Sequence, residues 1–233
     1  QLMVETSQVT GSLWNTAQDL TLVDTSGNEY VYKNLIKKEL NIIDRLNSAL
    51  KPAGHPGPLA WQPAFVGYDQ RIPDYRDCED FKYNKQSLEY IHTEEAETLR
   101  QVWQDCYDLK KIAVNDYCGK HNISELRYWE IFNFIKYNEG QHFQYHHDHG
   151  FSYNCTVSLV AYLNDDYEGG ELHFSKQDIL YTPNAGDLVI FPSNYMYPHR
   201  AMPVKSGTKY SLVTMLDYSD KYHKPEFYQE TGS

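Results

Sequence analysis

Apolar side chains set the first pattern in this chain. Leu35, Ile36, Leu40, Ile43, Leu46 and Leu50 recur at helical spacing and predict a helix over residues 32–50. A run rich in proline and glycine, residues 51–58, closes it. A second stripe consists of Ala96, Leu99, Val102, Trp103, Cys106, Leu109 and Ala113. Thr93 can cap that helix, Glu94, Glu95 and Glu97 suit its positive end, and Gly119 marks its end. Residues 61–92 mix aromatics, charges and Pro73, a pattern of short strands joined by long loops.

After the second helix the period changes. Residues 127–137 are dense in Tyr, Trp, Ile and Phe, the composition of a largely buried strand. Runs at 156–163, 187–191 and 210–216 also fit strands. Turn signals such as Asn138-Glu139-Gly140, Gly169-Gly170 and Ser206-Gly207 separate them. Two helices followed by short strands predict a mainly β protein with flanking α-helices, its core a jelly-roll-type double sheet. The length of 233 residues suits one domain. Residues 1–120 would supply a polar arm, the helices and substrate-side loops, 121–218 the catalytic core, and 219–233 a polar tail.

Composition narrows the partners. Net charge is −11, and no Lys/Arg cluster supplies the basic face that nucleic acid requires, so nucleic acid is not expected as a partner. No apolar run is long enough to span a membrane, and the chain opens on polar and acidic residues, so a soluble, cytoplasmic protein is expected. Cys78, Cys106, Cys118 and Cys155 are widely spaced, which reads as free buried thiols in a reducing compartment. In that setting the acceptor pattern Asn122-Ile123-Ser124 carries no weight. The 21 tyrosines suit strands and polar-tipped pocket walls.

The chemistry concentrates in His146-His147-Asp148-His149 and a separate His199. On a strand, His146 and Asp148 share a face and His147 points away. With His199 they make a 2-His-1-carboxylate set, which suits Fe(II) and leaves positions open, though the same ligands also suit a zinc hydrolase. His149 precedes Gly150 where the strand should turn, and His142 and His173 read as structural.

The flanking residues add a resemblance. The stretch from Tyr137 through Gly140-Gln141 to His146-His147-Asp148 resembles the iron-binding segment of the prolyl 4-hydroxylase branch of the 2-oxoglutarate/Fe(II) dioxygenases. Tyr162-Leu163-Asn164, then Gly169-Gly170-Glu171 with Phe174, is similar to the next motif of that family. Pro183, Gly186-Asp187 and Phe191 follow, and His199, Pro203-Val204, Gly207 and Lys209-Tyr210 complete the series in order. Residues before 121 carry no comparable signature.

The resemblance implies a double-stranded β-helix core and Fe(II), 2-oxoglutarate and O2 as cofactors, with ascorbate supporting activity. It implies His146, Asp148 and His199 as metal ligands and Lys209, Tyr162 and Tyr137 as contacts of 2-oxoglutarate; Ser211 and Thr156 are weaker candidates. A buried lysine is costly without a counter-charge, and a dianionic cosubstrate would provide one. The activity implied is prolyl 4-hydroxylation of a proline-bearing peptide or protein, with release of succinate and CO2. Arg76, Trp61, His149 and Arg200 are the substrate-side candidates, with Arg71 in the same loop region as Arg76. A hydroxylase of free proline or another small amino acid is the alternative; a non-catalytic jelly-roll binding module would be expected to lack a ligand or the lysine.

Overall fold

The computed structural model describes residues 31–67, 70–150 and 153–223; the expected polar arm and most of the polar tail lie outside them. The chain runs through β1 (Val31–Tyr32), α1 (Ile42–Ala49), β2 (Gln62–Pro63), β3 (Arg76–Asp77), β4 (Glu79–Tyr83) and α2 (Glu94–Lys120). Then follow β5 (Tyr128–Trp129), β6 (Phe132–Tyr137), β7 (His142–His146), β8 (Val157–Tyr162), β9 (Glu168–Gly169) and β10 (Leu172–Phe174). The last strands are β11 (Ile179–Tyr181), β12 (Leu188–Pro192), β13 (His199–Ala201), β14 (Val204–Ser206) and β15 (Lys209–Asp217).

The strands form an eight-stranded sheet, ordered β1-β12-β8-β15-β6-β4-β2 with β5 on the end of β15, and a five-stranded sheet, β11-β10-β13-β7-β3. The two sheets face one another. Leu172 and Phe174 of the smaller sheet and Tyr162, Val189 and Phe191 of the larger share one buried cluster. This is the double-stranded β-helix core, with both helices outside it.

Alternation divides the large sheet into two faces. Phe132 and Phe134 of β6, Leu159 and Ala161 of β8, and Leu212 and Leu216 of β15 pack with the apolar stripe of α2 in the main core. Their neighbours Asn133, Ile135, Tyr137, Val160, Tyr162, Lys209, Ser211 and Val213 line a cavity between the sheets. The α2 stripe therefore sets which face of each strand is left for chemistry. Thr93 caps α2 as expected, its side chain accepting from the Ala96 amide at 3.2 Å.

Two expected elements differ. The helix over 32–50 begins only at Ile42: Tyr32 pairs with Leu188 in the large sheet, and residues 38–40 form a 3-10 turn. Asn34 and Asn41 both take a left-handed φ of 49°, which an α-helix cannot contain. Leu35 and Ile36 are buried from a loop, so apolar spacing there reports burial rather than helix. The strand expected over 127–137 is broken at Glu130 and Ile131, giving β5 and β6. Among the described residues no helix is long and apolar enough to cross a membrane.

Candidate metal centre and its cavity

His146 ends β7 directly opposite His199 at the start of β13. Asp148 is not on the strand, as alternation had it; β7 stops at His146 and Asp148 lies in the turn that follows. The turn still brings it between the imidazoles. Its Oδ1 is 3.5 Å from His146 Nε2 and its Oδ2 3.6 Å from His199 Nε2. One ligand atom from each of the three residues lies within 4.8 Å of the others.

The tautomers follow from backbone contacts. His146 Nδ1 is 2.7 Å from the Gln144 carbonyl, and His199 Nδ1 is 3.1 Å from that of Tyr197. A carbonyl only accepts, so each Nδ1 carries the hydrogen and each Nε2 turns a lone pair toward Asp148. Burial, reinforced by the neighbouring His199, pushes His146 down to about 3, so it is neutral at ordinary pH. Two imidazoles whose Nδ1 atoms are committed to carbonyls, converging with one carboxylate, are a donor set that fits a divalent metal such as Fe(II).

The adjoining cavity holds about 510 Å³. Lys209 lines it and is 2% exposed. Its Nζ donates to the Gly170 carbonyl at 2.6 Å and lies 5.1 Å and 5.2 Å from the ring centres of Tyr162 and Tyr137. Burial lowers it to about 7 and holds both phenols well above their ordinary value. No ion pair involves Lys209 among the described residues. A buried amine facing a cavity beside two phenols can take an anionic carboxylate. Ser211 lines the same wall, whereas Thr156 lies outside it and donates to Asp217 at 2.6 Å.

The substrate-side candidates scatter. Arg76 lines the cavity but is buried: Nη1 donates to the Phe65 carbonyl at 2.8 Å and Nη2 pairs with Asp80 at 3.3 Å. Trp61 is a correction. It is buried on the helix side, against Lys136 and Tyr210, each of which alternates with a cavity residue. It is thus one sheet away from the site. Arg200 is also misplaced, because its guanidinium stacks 4.7 Å over Tyr145 on the outer face of the small sheet. His149 holds the turn instead, Nδ1 lying 2.9 Å from the Cys155 carbonyl. Arg71 pairs with Asp77 at 3.3 Å at the surface.

Three features of the site escape the sequence reading. His147 borders the cavity, because the strand has ended and alternation no longer turns it away. Glu130 lines it at the break between β5 and β6, and burial raises its carboxyl to about 7. Ser158, fully buried on β8, has its Oγ 2.5 Å from Asp148 Oδ2. A lone serine in an apolar strand gives no signal of such a contact until the turn carrying Asp148 is placed.

Comparison with known proteins agrees with this geometry. Residues 132–216, which span β6 to β15, match the 2OG-Fe(II) oxygenase superfamily. A PKHD-type hydroxylase of Colwellia psychrerythraea is 38% identical over 66 residues, covering 28% of this chain and 28% of that protein. Thus the match spans about a quarter of that relative's length. Among solved structures, a prolyl hydroxylase of Trichoplax adhaerens, in complex with a hypoxia inducible factor peptide, superposes with a TM-score of 0.64. It is 12% identical, over 80% of this chain and 82% of that one. A viral collagen prolyl hydroxylase of Paramecium Bursaria Chlorella virus-1, in its 2OG complex, gives a TM-score of 0.54 at 19% identity, over 80% and 93%.

Proposed function

We propose that this chain, a member of the 2OG-Fe(II) oxygenase superfamily with a prolyl hydroxylase-like fold, hydroxylates a C–H bond of a proline in a peptide or protein. Its cofactors are Fe(II), 2-oxoglutarate and O2. Bound together, they supply oxygen activation coupled to decarboxylation of the 2-oxoglutarate, with succinate and CO2 as by-products.

The chain's own residues provide holding and exclusion. His146, Asp148 and His199 hold the metal, with the Gln144 and Tyr197 carbonyls fixing both imidazole tautomers. Lys209 would pair with the far carboxylate of 2-oxoglutarate, Tyr162 would donate a hydroxyl to it, and Tyr137 would wall the same space, all three lining the cavity. The carrying observation is that the metal triad and Lys209, buried and without an ion-pair partner among the described residues, line one cavity. Apolar wall residues such as Val160, Leu172 and Val213 limit water there. Arg76 and His147 are the substrate-side residues that reach this cavity.

A peptide partner is the reading favoured by the resemblance to a hydroxylase bound to a peptide. Incubation of proline-bearing peptides, or of free proline, with enzyme, Fe(II), 2-oxoglutarate and ascorbate tests it by mass spectrometry and succinate release. A gain of 16 Da on peptidyl proline is expected. Turnover of free proline alone would move the assignment to a free amino acid. Absence of 2-oxoglutarate-dependent succinate with every substrate, together with no weak visible absorption from Fe(II) plus 2-oxoglutarate, would remove the oxygenase reading.

A further inference from the structure

We propose that Ser158 is a positioning residue for Asp148, itself held by a hydrogen bond from Ser193. The inference rests on the metal-centre reading above.

Three observations carry it. Asp148 lies in a turn, beyond the end of β7, so no sheet ladder fixes its carboxylate. Ser158 is fully buried on β8, one of the central strands of the large sheet, and reaches Asp148 Oδ2 at 2.5 Å. Ser193, also buried, lies 2.7 Å from Ser158. The rigid sheet thus meets the irregular turn through one hydroxyl.

Proton counting gives the chain a direction. A ligating carboxylate only accepts, so Ser158 must donate its single hydroxyl proton to Asp148. Ser193 must then donate to Ser158, since Ser158 has none left to give. Both hydroxyl protons are turned toward the metal ligand. His149 braces the same turn through the Cys155 carbonyl, and its amide donates to the Ser193 carbonyl at 3.0 Å. A hydroxyl–carboxylate bond of this kind orients the ligand and is worth about tenfold to a hundredfold in metal affinity where such outer partners have been removed.

Titration of Co(II) into metal-free protein tests this, with d–d absorption recording the coordination. Ser158→Ala is expected to weaken Co(II) about tenfold to a hundredfold and change the band, while Ser158→Thr stays within about threefold. Ser193→Ala should fall between them. Thermal unfolding of the metal-free proteins should stay near wild type, which a purely structural serine would not allow. Wild-type affinity and an unchanged band in Ser158→Ala, or equal losses in Ser158→Thr and Ser158→Ala, overturn the proposal. If Ser158→Ala does not fold, Ser193→Ala decides, and wild-type affinity there overturns it. Wild-type protein that binds no Co(II), or His199→Ala that binds it equally well, would instead strike the metal-centre reading.

Discussion

Two lysines are buried against opposite faces of β15, and they do different things. Lys209, on the strand, faces the cavity. Lys110, on α2, is fully buried on the other side, where its Nζ donates to Thr214 Oγ1 at 2.7 Å and lies 2.9 Å from the centre of the Phe132 ring. Desolvation lowers both amines, Lys209 to about 7 and Lys110 well below its ordinary value. Among the described residues neither forms an ion pair. What separates them is space. Lys209 borders room for a dianion together with two phenols, whereas Lys110 is enclosed by the helix–sheet core. A buried cation therefore marks a ligand site only when its charged end opens onto a cavity.

The comparison breaks most sharply on cosubstrate binding. Lys209→Met is expected to raise the 2-oxoglutarate dissociation constant about tenfold to a hundredfold, as loss of a charged hydrogen bond does. Lys110→Met should change it less than about twofold, being outside the cavity. Calorimetric titration of 2-oxoglutarate into both metal-loaded variants decides, and equal losses would end the distinction.

Proton linkage sharpens it next. Free Lys209 is lowered to about 7, and a bound dianion favours its charged form. Above pH 7 binding must then take up a proton, so the dissociation constant should rise with pH, approaching about tenfold per unit. Lys209→Arg stays charged and should flatten that profile. A wild-type profile as flat as the arginine variant's would show that Lys209 does not meet the cosubstrate.

Stability is the third contrast. A lysine whose folded pKa is lowered leaves the unfolded chain with more protons between the two values, so stability rises with pH across that window. Lys110→Met removes that contribution and should flatten the rise relative to wild type. At neutral pH it should add about 1–3 kcal/mol of stability, because an apolar chain of similar size replaces a desolvated amine. Urea unfolding measures this, and a loss of stability would mean that the bond to Thr214 outweighs the burial. The smallest expected effect is Tyr162→Phe, which should weaken 2-oxoglutarate about threefold to tenfold, the worth of a neutral hydroxyl.

The lysine pair also shows how far the chain could be read unaided. Lys209 was visible because ordered motifs surround it, from Gly169-Gly170 through His199 to Gly207. Lys110 carries no such signal, since periodicity alone does not show that the α2 stripe is wide enough to bury it. The α2 boundaries were legible from Thr93, the acidic first turn and a clean apolar period. The first helix was overextended because Leu35 and Ile36 are buried from a loop, and two asparagines in left-handed conformation interrupt the backbone where spacing suggested continuity.

By itself the sequence determined the helix–strand order, the mainly β architecture and His146, Asp148 and His199 as candidates, because these depend on local period and residue chemistry, while Lys209 came through the family resemblance of the motifs around it. Only the tertiary structure decided that Trp61 lies one sheet away, that Arg200 faces outward, that His147 and Glu130 enter the cavity, and that Ser158 holds Asp148. The physical reason is the same in each case. Alternation assigns a side chain to a face only while the strand continues, whereas strand ends and sheet pairing set which face meets which neighbour.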